Sequence, residues 1–125
     1  MPKSVLVVDD EPNILLSLEY LMKRAGYDVR LARDGEEALA AIAASPPDLV
    51  LLDINIPKFN GYEVCQAIRA NADLNNVRIL MVTAKGREVE IEKGLALGAD
   101  GYETKPFSTK ALAARVQALL DGTGT

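Results

Sequence analysis

The sequence places VLVVDD at residues 5–10, an apolar run that ends in two aspartates. The same pattern recurs at residues 49–53, which end in an aspartate, and at 79–83, which end in a threonine. If these runs are neighbouring parallel strands, their polar ends meet at one carboxyl edge, where open α/β sheets bind ligands. This repeated pattern predicts both the fold and the place of the functional site.

Polar residues at the ends of the apolar segments are the candidate site residues. They are Asp9, Asp10, Asp53, Thr83 and Lys105. Two like charges about 4 Å apart repel by roughly 4 kcal/mol at an effective dielectric near 20. Three carboxylates at one sheet edge therefore favour a hard divalent cation with oxygen ligands.

Composition limits what the chain can be. Its 125 residues are 49% hydrophobic and 26% charged, which predicts one soluble globular domain with a real core. The net charge of -4 argues against a direct nucleic-acid surface and favours protein partners. The N-terminal apolar run is too short for a signal peptide or a membrane span, and a lone cysteine cannot form an internal disulfide, so we expect a cytoplasmic protein.

Strand and helix patterns alternate along the whole chain. The predicted strands are 5–8, 29–32, 49–52, 77–82 and 101–104. The predicted helices begin at Pro12, after Asp34, near Gly61, near Arg87 and after Ser108. We expect one domain over residues 1–121 and a disordered tail, or the start of a linker, over 122–125.

The strand sequences also predict the order of the sheet. Strands one, three and four are apolar at successive positions, as strands covered on both faces are, whereas strands two and five mix in polar residues as edge strands do. The expected fold is therefore α/β, a flavodoxin-like (βα)5 doubly wound sheet of five parallel strands in the order 2-1-3-4-5. Its switch point, between strands one and three, coincides with the aspartates.

These segments together resemble the receiver domain of a two-component response regulator. The resemblance rests on VVDDEP at 7–12, LDINIP at 52–57, MVTA at 81–84, LGADGY at 97–102 and TKPF at 104–107. It runs from about residue 3 to residue 120, with every signature in the family's order. Each motif alone is weak, but the set is highly specific.

The resemblance implies a role for each matching position. Asp53 is the expected nucleophile that accepts a phosphoryl group from a phosphohistidine, and Lys105 and Thr83 are expected to contact the phosphoryl oxygens. Mg²⁺, with Mn²⁺ as a substitute, is expected on Asp10, Asp53 and the Asn55 backbone carbonyl, with Asp9 bound directly or through water. Further expected roles are a switch pair, Thr83 and Tyr102, and two positions that tune phosphate lifetime, Asn55 and Lys85.

The implied function is a phosphoacceptor signalling module without a separate substrate. Its expected partners are a sensor histidine kinase or a histidine phosphotransfer protein, because the chain has no histidine of its own. Phosphorylation is expected to switch the face formed by helix four, strand five and helix five, and so to control an unknown target or output domain.

Two positions depart from the winged-helix transcription-factor subfamily, which pairs through that face. Gly101 and Ala111 stand where that subfamily carries acidic residues. Asp100 and Arg115 remain, which leaves room for a weaker or different pairing. We expect a monomer or a weak phosphorylation-dependent dimer, from a stand-alone chemotaxis-regulator-like receiver or one excised from a larger regulator.

Three other functions compete with this interpretation. Flavodoxins share the sheet order, but they cradle a phosphate after strand one, where this chain has three acidic residues that would repel it. Haloacid-dehalogenase-type phosphatases want a second aspartate two residues after the nucleophile, where Asn55 stands. A docking module that binds partners without phosphorylation is the remaining alternative.

Overall fold

Strands and helices alternate through the whole of the computed structural model, which describes residues 2–84 and 88–122. The strands are β1 (Ser4–Val8), β2 (Asp28–Ala32), β3 (Leu49–Asp53), β4 (Arg78–Ala84) and β5 (Gly101–Lys105). The helices are α1 (Pro12–Arg24), α2 (Gly35–Ala44), α3 (Gly61–Ala70), α4 (Glu88–Ala96) and α5 (Thr109–Leu120). A single 3₁₀ turn, Ala72–Leu74, follows α3 among these residues.

All five strands pair in parallel, in the order β2-β1-β3-β4-β5. The predicted sheet order is thus confirmed, and the aspartates after β1 and at the end of β3 lie at the switch point. The edge strands are also as predicted: β2 and β5 carry several exposed or half-buried residues, whereas every residue of β3 is buried.

Side chains alternate between two cores on opposite faces of the sheet. Leu6 and Val8 of β1 join the core covered by α2 and α3, whereas Val5 and Val7 join the core covered by α1 and α5. Covering both faces explains why the central strands are apolar at every position.

Side-chain caps form at the two helix starts where the sequence predicts them and at a third where it does not. The Asp34 side chain accepts a hydrogen bond from the Glu37 amide, and Ser108 accepts one from the Ala111 amide. At α3, Asn60 and Glu63 form a complete capping box. These caps set where α2, α3 and α5 begin relative to the strands before them.

Each of the five strands is one residue longer than predicted. The fourth runs to Ala84 and the fifth to Lys105, because Thr83 pairs with Thr104 and Ala84 with Lys105 in the sheet. Thr83 therefore lies inside β4, not just beyond it. Lys85 and the tail residues 123–125 lie outside the described residues. No helix in the described ranges is long and apolar enough to cross a membrane.

Candidate functional site

The parallel register brings the predicted site residues to one edge of the sheet. Asp9 follows β1, and Asp53 and Lys105 are the last residues of β3 and β5. Val8 pairs with Leu52, and Asp53 pairs with Val82, so the strand ends are level. The site is built from loops and strand ends held by a fully buried sheet centre.

Three carboxylates form a tight cluster at this edge. Asp9, Asp10 and Asp53 each offer an oxygen, and these oxygens all lie within 4.8 Å of one another. Asp9 and Asp53 are buried, with 1% and 6% of their surfaces exposed, while Asp10 is exposed. Two buried carboxylates and one exposed carboxylate at this spacing are the hard donor set that a divalent cation prefers.

A single lysine bridges the two buried carboxylates. The Lys105 ammonium lies 2.9 Å from Asp9 Oδ2 and 3.1 Å from Asp53 Oδ2, and it is 3.8 Å from the exposed Glu11 carboxylate. The peptide bond from Lys105 to Pro106 is cis. Among the described residues, one ammonium thus lies near three acidic groups while Asp10 adds a fourth, so the cluster keeps an excess of negative charge.

Backbone amides hold the other oxygen of each buried carboxylate. Asp9 Oδ1 accepts a hydrogen bond of 2.9 Å from the Glu11 amide, and Asp53 Oδ1 accepts one of 3.0 Å from the Asn55 amide. These short turns leave Oδ2 of each aspartate directed at Lys105. The orientation of both side chains is therefore fixed before any ligand arrives.

Burial and charge act in opposite directions on the titration of this cluster. Burial raises the pKa of Asp53, and the Asp9 charge adds to the rise, while the Asn55 amide and Lys105 oppose it. Burial alone would lower the pKa of Lys105, but its hydrogen bond to Asp9 and the Asp53 charge raise it overall. Lys105 therefore stays cationic. The ionised form of Asp53 is disfavoured by its burial, and added positive charge would stabilise it.

The Thr83 hydroxyl has a partner in α4. Its side chain is buried, with 1% exposed, and its hydroxyl donates a 2.6 Å hydrogen bond to the Glu90 carboxylate of α4. The structure brings Thr83 to the site edge but directs its hydroxyl to α4.

The remaining predicted positions lie at the margin of the site. Asn55 contributes its backbone to the Asp53 turn, and its side chain is exposed. Tyr102 is 39% exposed in β5, with the Arg115 guanidinium 5.8 Å from the centre of its ring. Tyr102 therefore faces outward in this packing.

Asp100 and Arg115, considered above for pairing between chains, both have partners in their own chain. Asp100 Oδ2 accepts hydrogen bonds from Arg69 at 2.8 Å and from the Ile79 amide at 2.7 Å. Arg115 donates to Glu103 at 3.2 Å. Asp100 thus links α3 to β4, and these bonds reduce its capacity to form an ion pair with a second chain.

Two residues matter more than the sequence indicates. Gly61 packs so closely on β3 that a Cβ there would lie 2.8 Å from the Asp53 carbonyl oxygen and 2.6 Å from Ile54 Cα. The position of Gly61 at a helix start was visible in the sequence, but the close approach was not. No motif or periodicity in the sequence pointed to Glu90.

A doubly wound parallel sheet with an acidic cluster and a lysine at its carboxyl edge defines a flavodoxin-like domain with an acidic ligand site at its switch point. Residues 5–117 match the family model for the response regulator receiver domain, and the chain belongs to that family. It is a phosphoacceptor module of two-component signalling, not a classical enzyme.

Known proteins support this assignment. The chain is 49% identical over 120 residues to the alkaline phosphatase synthesis transcriptional regulatory protein PhoP of Bacillus subtilis (strain 168), with 96% of this chain and 49% of PhoP covered. The chain thus spans about half the length of that relative.

Solved structures agree over nearly the full chain. A protein of Chloroflexus aurantiacus J-10-fl, described as a response regulator, superposes with a TM-score of 0.93 at 36% identity and covers 97% of this chain and 99% of its own. The chemotaxis response regulator CheY4 of Vibrio cholerae gives 0.89 at 33% identity, covering 95% and 99%.

Proposed function

We propose that Asp53 accepts a phosphoryl group from a phosphohistidine of a sensor kinase or a histidine phosphotransfer protein. The observation that carries this proposal is the pre-set Asp53 carboxylate, which lies 3.1 Å from the Lys105 ammonium and inside the acidic cluster. An Asp that merely capped the next helix would need neither the ammonium nor two further carboxylates.

The transfer needs only a carboxylate nucleophile and stabilisation of charge. An Asp53 carboxylate oxygen attacks phosphorus, the bond from phosphorus to the histidine nitrogen breaks, and that nitrogen leaves with the electron pair. Lys105 is placed to move from the carboxylates onto a phosphoryl oxygen as negative charge passes to it. Attack of water on the same phosphorus later returns Asp53 and inorganic phosphate, so the module catalyses both steps on itself without a separate substrate.

The donor set fits Mg²⁺, with Mn²⁺ as a substitute. Asp10 and Asp53 would hold the ion with the Asn55 backbone carbonyl, and Asp9 would bind directly or through water. When bound, the ion supplies positive charge against the phosphoryl oxygens. Its affinity for the cluster follows from the excess negative charge that Lys105 leaves uncompensated.

The output of phosphorylation is a change of packing on the face of α4, β5 and α5. Thr83 would turn its hydroxyl to the phosphoryl group, and Tyr102 would turn inward from its exposed position. Asn55 and Lys85 are the positions we assign to the tuning of phosphate lifetime. The in-chain partners of Asp100 and Arg115 support a monomer or a weak phosphorylation-dependent dimer.

The wider setting follows from the family. We place the receiver domain at residues 1–121, since α5 ends at Leu120, and residues 122–125 as a tail or the start of a linker. A target protein or an output domain would read the switched face, in the cytoplasm, with no direct contact of this domain with nucleic acid.

Intact mass spectrometry after incubation with acetyl phosphate tests the proposal. The parent and the matched Asp28→Asn control, which changes an exposed aspartate at the far end of β2, should each gain one phosphoryl group in Mg²⁺ and none with a chelator. Asp53→Asn should gain none. If the parent is unmodified, or if Asp53→Asn is modified equally, the proposal fails and the docking module without phosphorylation replaces it.

A further inference from the structure

The hydroxyl of Thr83 is held by Glu90 of α4. The oxygen atoms lie 2.6 Å apart, within the range of a charge-assisted bond from a hydroxyl to a carboxylate. Thr83 is 1% exposed, so its hydroxyl has little access to water and depends on a protein partner.

Glu90 is itself a junction between three elements. Its backbone carbonyl accepts a 3.1 Å hydrogen bond from the Tyr62 hydroxyl of α3, and the Lys93 ammonium lies 4.4 Å from the centre of the Tyr62 ring. The beginning of α4 is therefore tied to β4 through the Glu90 side chain and to α3 through its backbone.

Few residues of α4 are fully buried. Between residues 89 and 96, only Gly94 is buried, and it has no side chain to contribute to a core. Val89, beside Glu90, is 78% exposed. A helix that buries so few side chains can change its packing at a smaller cost than one anchored in a core, so the loss of one polar tie weighs more.

From this geometry we infer that Glu90 is a positioning residue that withholds the Thr83 hydroxyl from the phosphoryl site and sets the balance between the unphosphorylated and phosphorylated packings. The inference rests on the proposed role of Thr83 as a phosphoryl ligand. A hydroxyl has one proton to donate, so Thr83 serves either Glu90 or a phosphoryl oxygen. Phosphorylation then breaks the tie from Thr83 to Glu90 and frees the beginning of α4.

Removing the carboxylate should favour the phosphorylated packing. Glu90→Ala leaves the buried hydroxyl without this acceptor in the free protein, and a phosphoryl analogue would restore one. Because the lost bond joins the hydroxyl to a carboxylate, we expect Glu90→Ala to bind beryllofluoride in Mg²⁺ about tenfold more tightly than the parent. Glu90→Gln, which keeps a neutral acceptor oxygen, should show a smaller gain.

Titration calorimetry with beryllofluoride and Mg²⁺ tests the inference on the parent and on five variants. They are Glu90→Ala, Glu90→Gln, Glu92→Ala, Thr83→Val and the double variant of Thr83→Val with Glu90→Ala. Glu92→Ala is the matched control, since it removes an exposed carboxylate two residues further along α4, and its affinity should equal that of the parent. In a Thr83→Val background, which keeps the side-chain shape without the hydroxyl, Glu90→Ala should have no effect. A purely structural role of Glu90 would not disappear with the Thr83 hydroxyl.

The outcomes separate this inference from the proposed function. If the parent binds beryllofluoride but Glu90→Ala and Glu90→Gln bind no more tightly, the Glu90 inference is wrong and the phosphoacceptor role stands. The inference is also overturned if the gain persists in Thr83→Val. If the parent binds no beryllofluoride at Asp53, the proposed function fails and the inference fails with it.

Discussion

The Lys105 ammonium lies 3.1 Å from an Asp53 carboxylate oxygen, and the same ammonium is 2.9 Å from Asp9. Both carboxylates are almost fully buried, so water can do little to stabilise their negative charge. The lysine therefore has two tasks in this account. It offsets the charge of the two buried carboxylates in the folded protein, and among the described residues it is the cation placed to meet the developing phosphoryl charge.

Lys105→Met should strongly destabilise the metal-free protein. It leaves two buried carboxylates without their shared cation, and breaking such a buried pair costs about 3 kcal/mol. Urea denaturation in a chelator measures the loss. Lys23→Met is the matched control: its partner Glu19 is a helix neighbour on the surface, so its loss should be below about 0.5 kcal/mol. Equal losses in the two variants would contradict the bridging role.

Magnesium should stabilise the folded protein through Asp10. The exposed Asp10 carboxylate is the cluster member that the Lys105 ammonium does not contact, so it is the one most open to an incoming cation. Thermal denaturation with increasing Mg²⁺ should show a rising melting temperature in the parent and in Asp28→Asn. In Asp10→Asn the same rise should need at least about tenfold more Mg²⁺, because the apparent affinity for the ion is lower. If Asp10→Asn responds as the parent does, the cation binds elsewhere.

Asp53→Asn should stabilise the protein in the absence of metal. Burial raises the pKa of Asp53, so the folded state resists its ionisation. A carboxyl whose pKa is raised by folding does not destabilise the protein below its pKa in the unfolded state, which is about 3.9. The loss of stability grows as the pH rises through the pKa of the folded state. Urea denaturation in a chelator should therefore show the advantage of Asp53→Asn at pH 7 and a smaller advantage near pH 4. An advantage independent of pH would argue against this cause.

Gly61→Ala should disturb the site through the backbone. The added Cβ would meet the Asp53 carbonyl oxygen at 2.8 Å, and backbone atoms cannot yield as a flexible side chain can. We expect a loss of about 2 kcal/mol in the free energy of unfolding and slower phosphorylation by acetyl phosphate.

Gly94→Ala provides the matched control for this substitution. Its Cβ would meet only the flexible Met81 side chain at 3.4 Å, and alanine favours a helix over glycine by about 1 kcal/mol. Chemical denaturation should show this variant unchanged or more stable. If both variants lose the same stability, the close approach of Gly61 is not the cause.

Local sequence patterns were sufficient for the fold and for most of the site. Asp9 and Asp53 were predictable because each closes an apolar run, and a parallel sheet necessarily brings such ends to one edge. Lys105 was predictable from the TKPF motif at 104–107. The edge strands were predictable because exposure on one side admits polar residues. Asp34 and Ser108 were predictable because capping is a contact between near neighbours in the chain.

Contacts between elements were beyond the reach of those patterns. The bond from Thr83 to Glu90 depends on how α4 sits over β4, which periodicity does not specify. The bonds of Asp100 to Arg69 and Ile79 likewise join distant segments, so the sequence did not indicate them. The ends of β4 and β5 were misjudged because mutual pairing, not hydrophobicity, extends them.

The most direct test of the central claim locates the phosphoryl group. The protein is phosphorylated with acetyl phosphate in Mg²⁺, the acyl phosphate is reduced with borohydride to an alcohol, and the peptides are sequenced by mass spectrometry. We predict homoserine in place of aspartate at position 53 and unchanged aspartate at positions 9 and 10. Homoserine at either of those positions, or an unmodified Asp53 in protein that carries the added phosphoryl mass, would contradict the account.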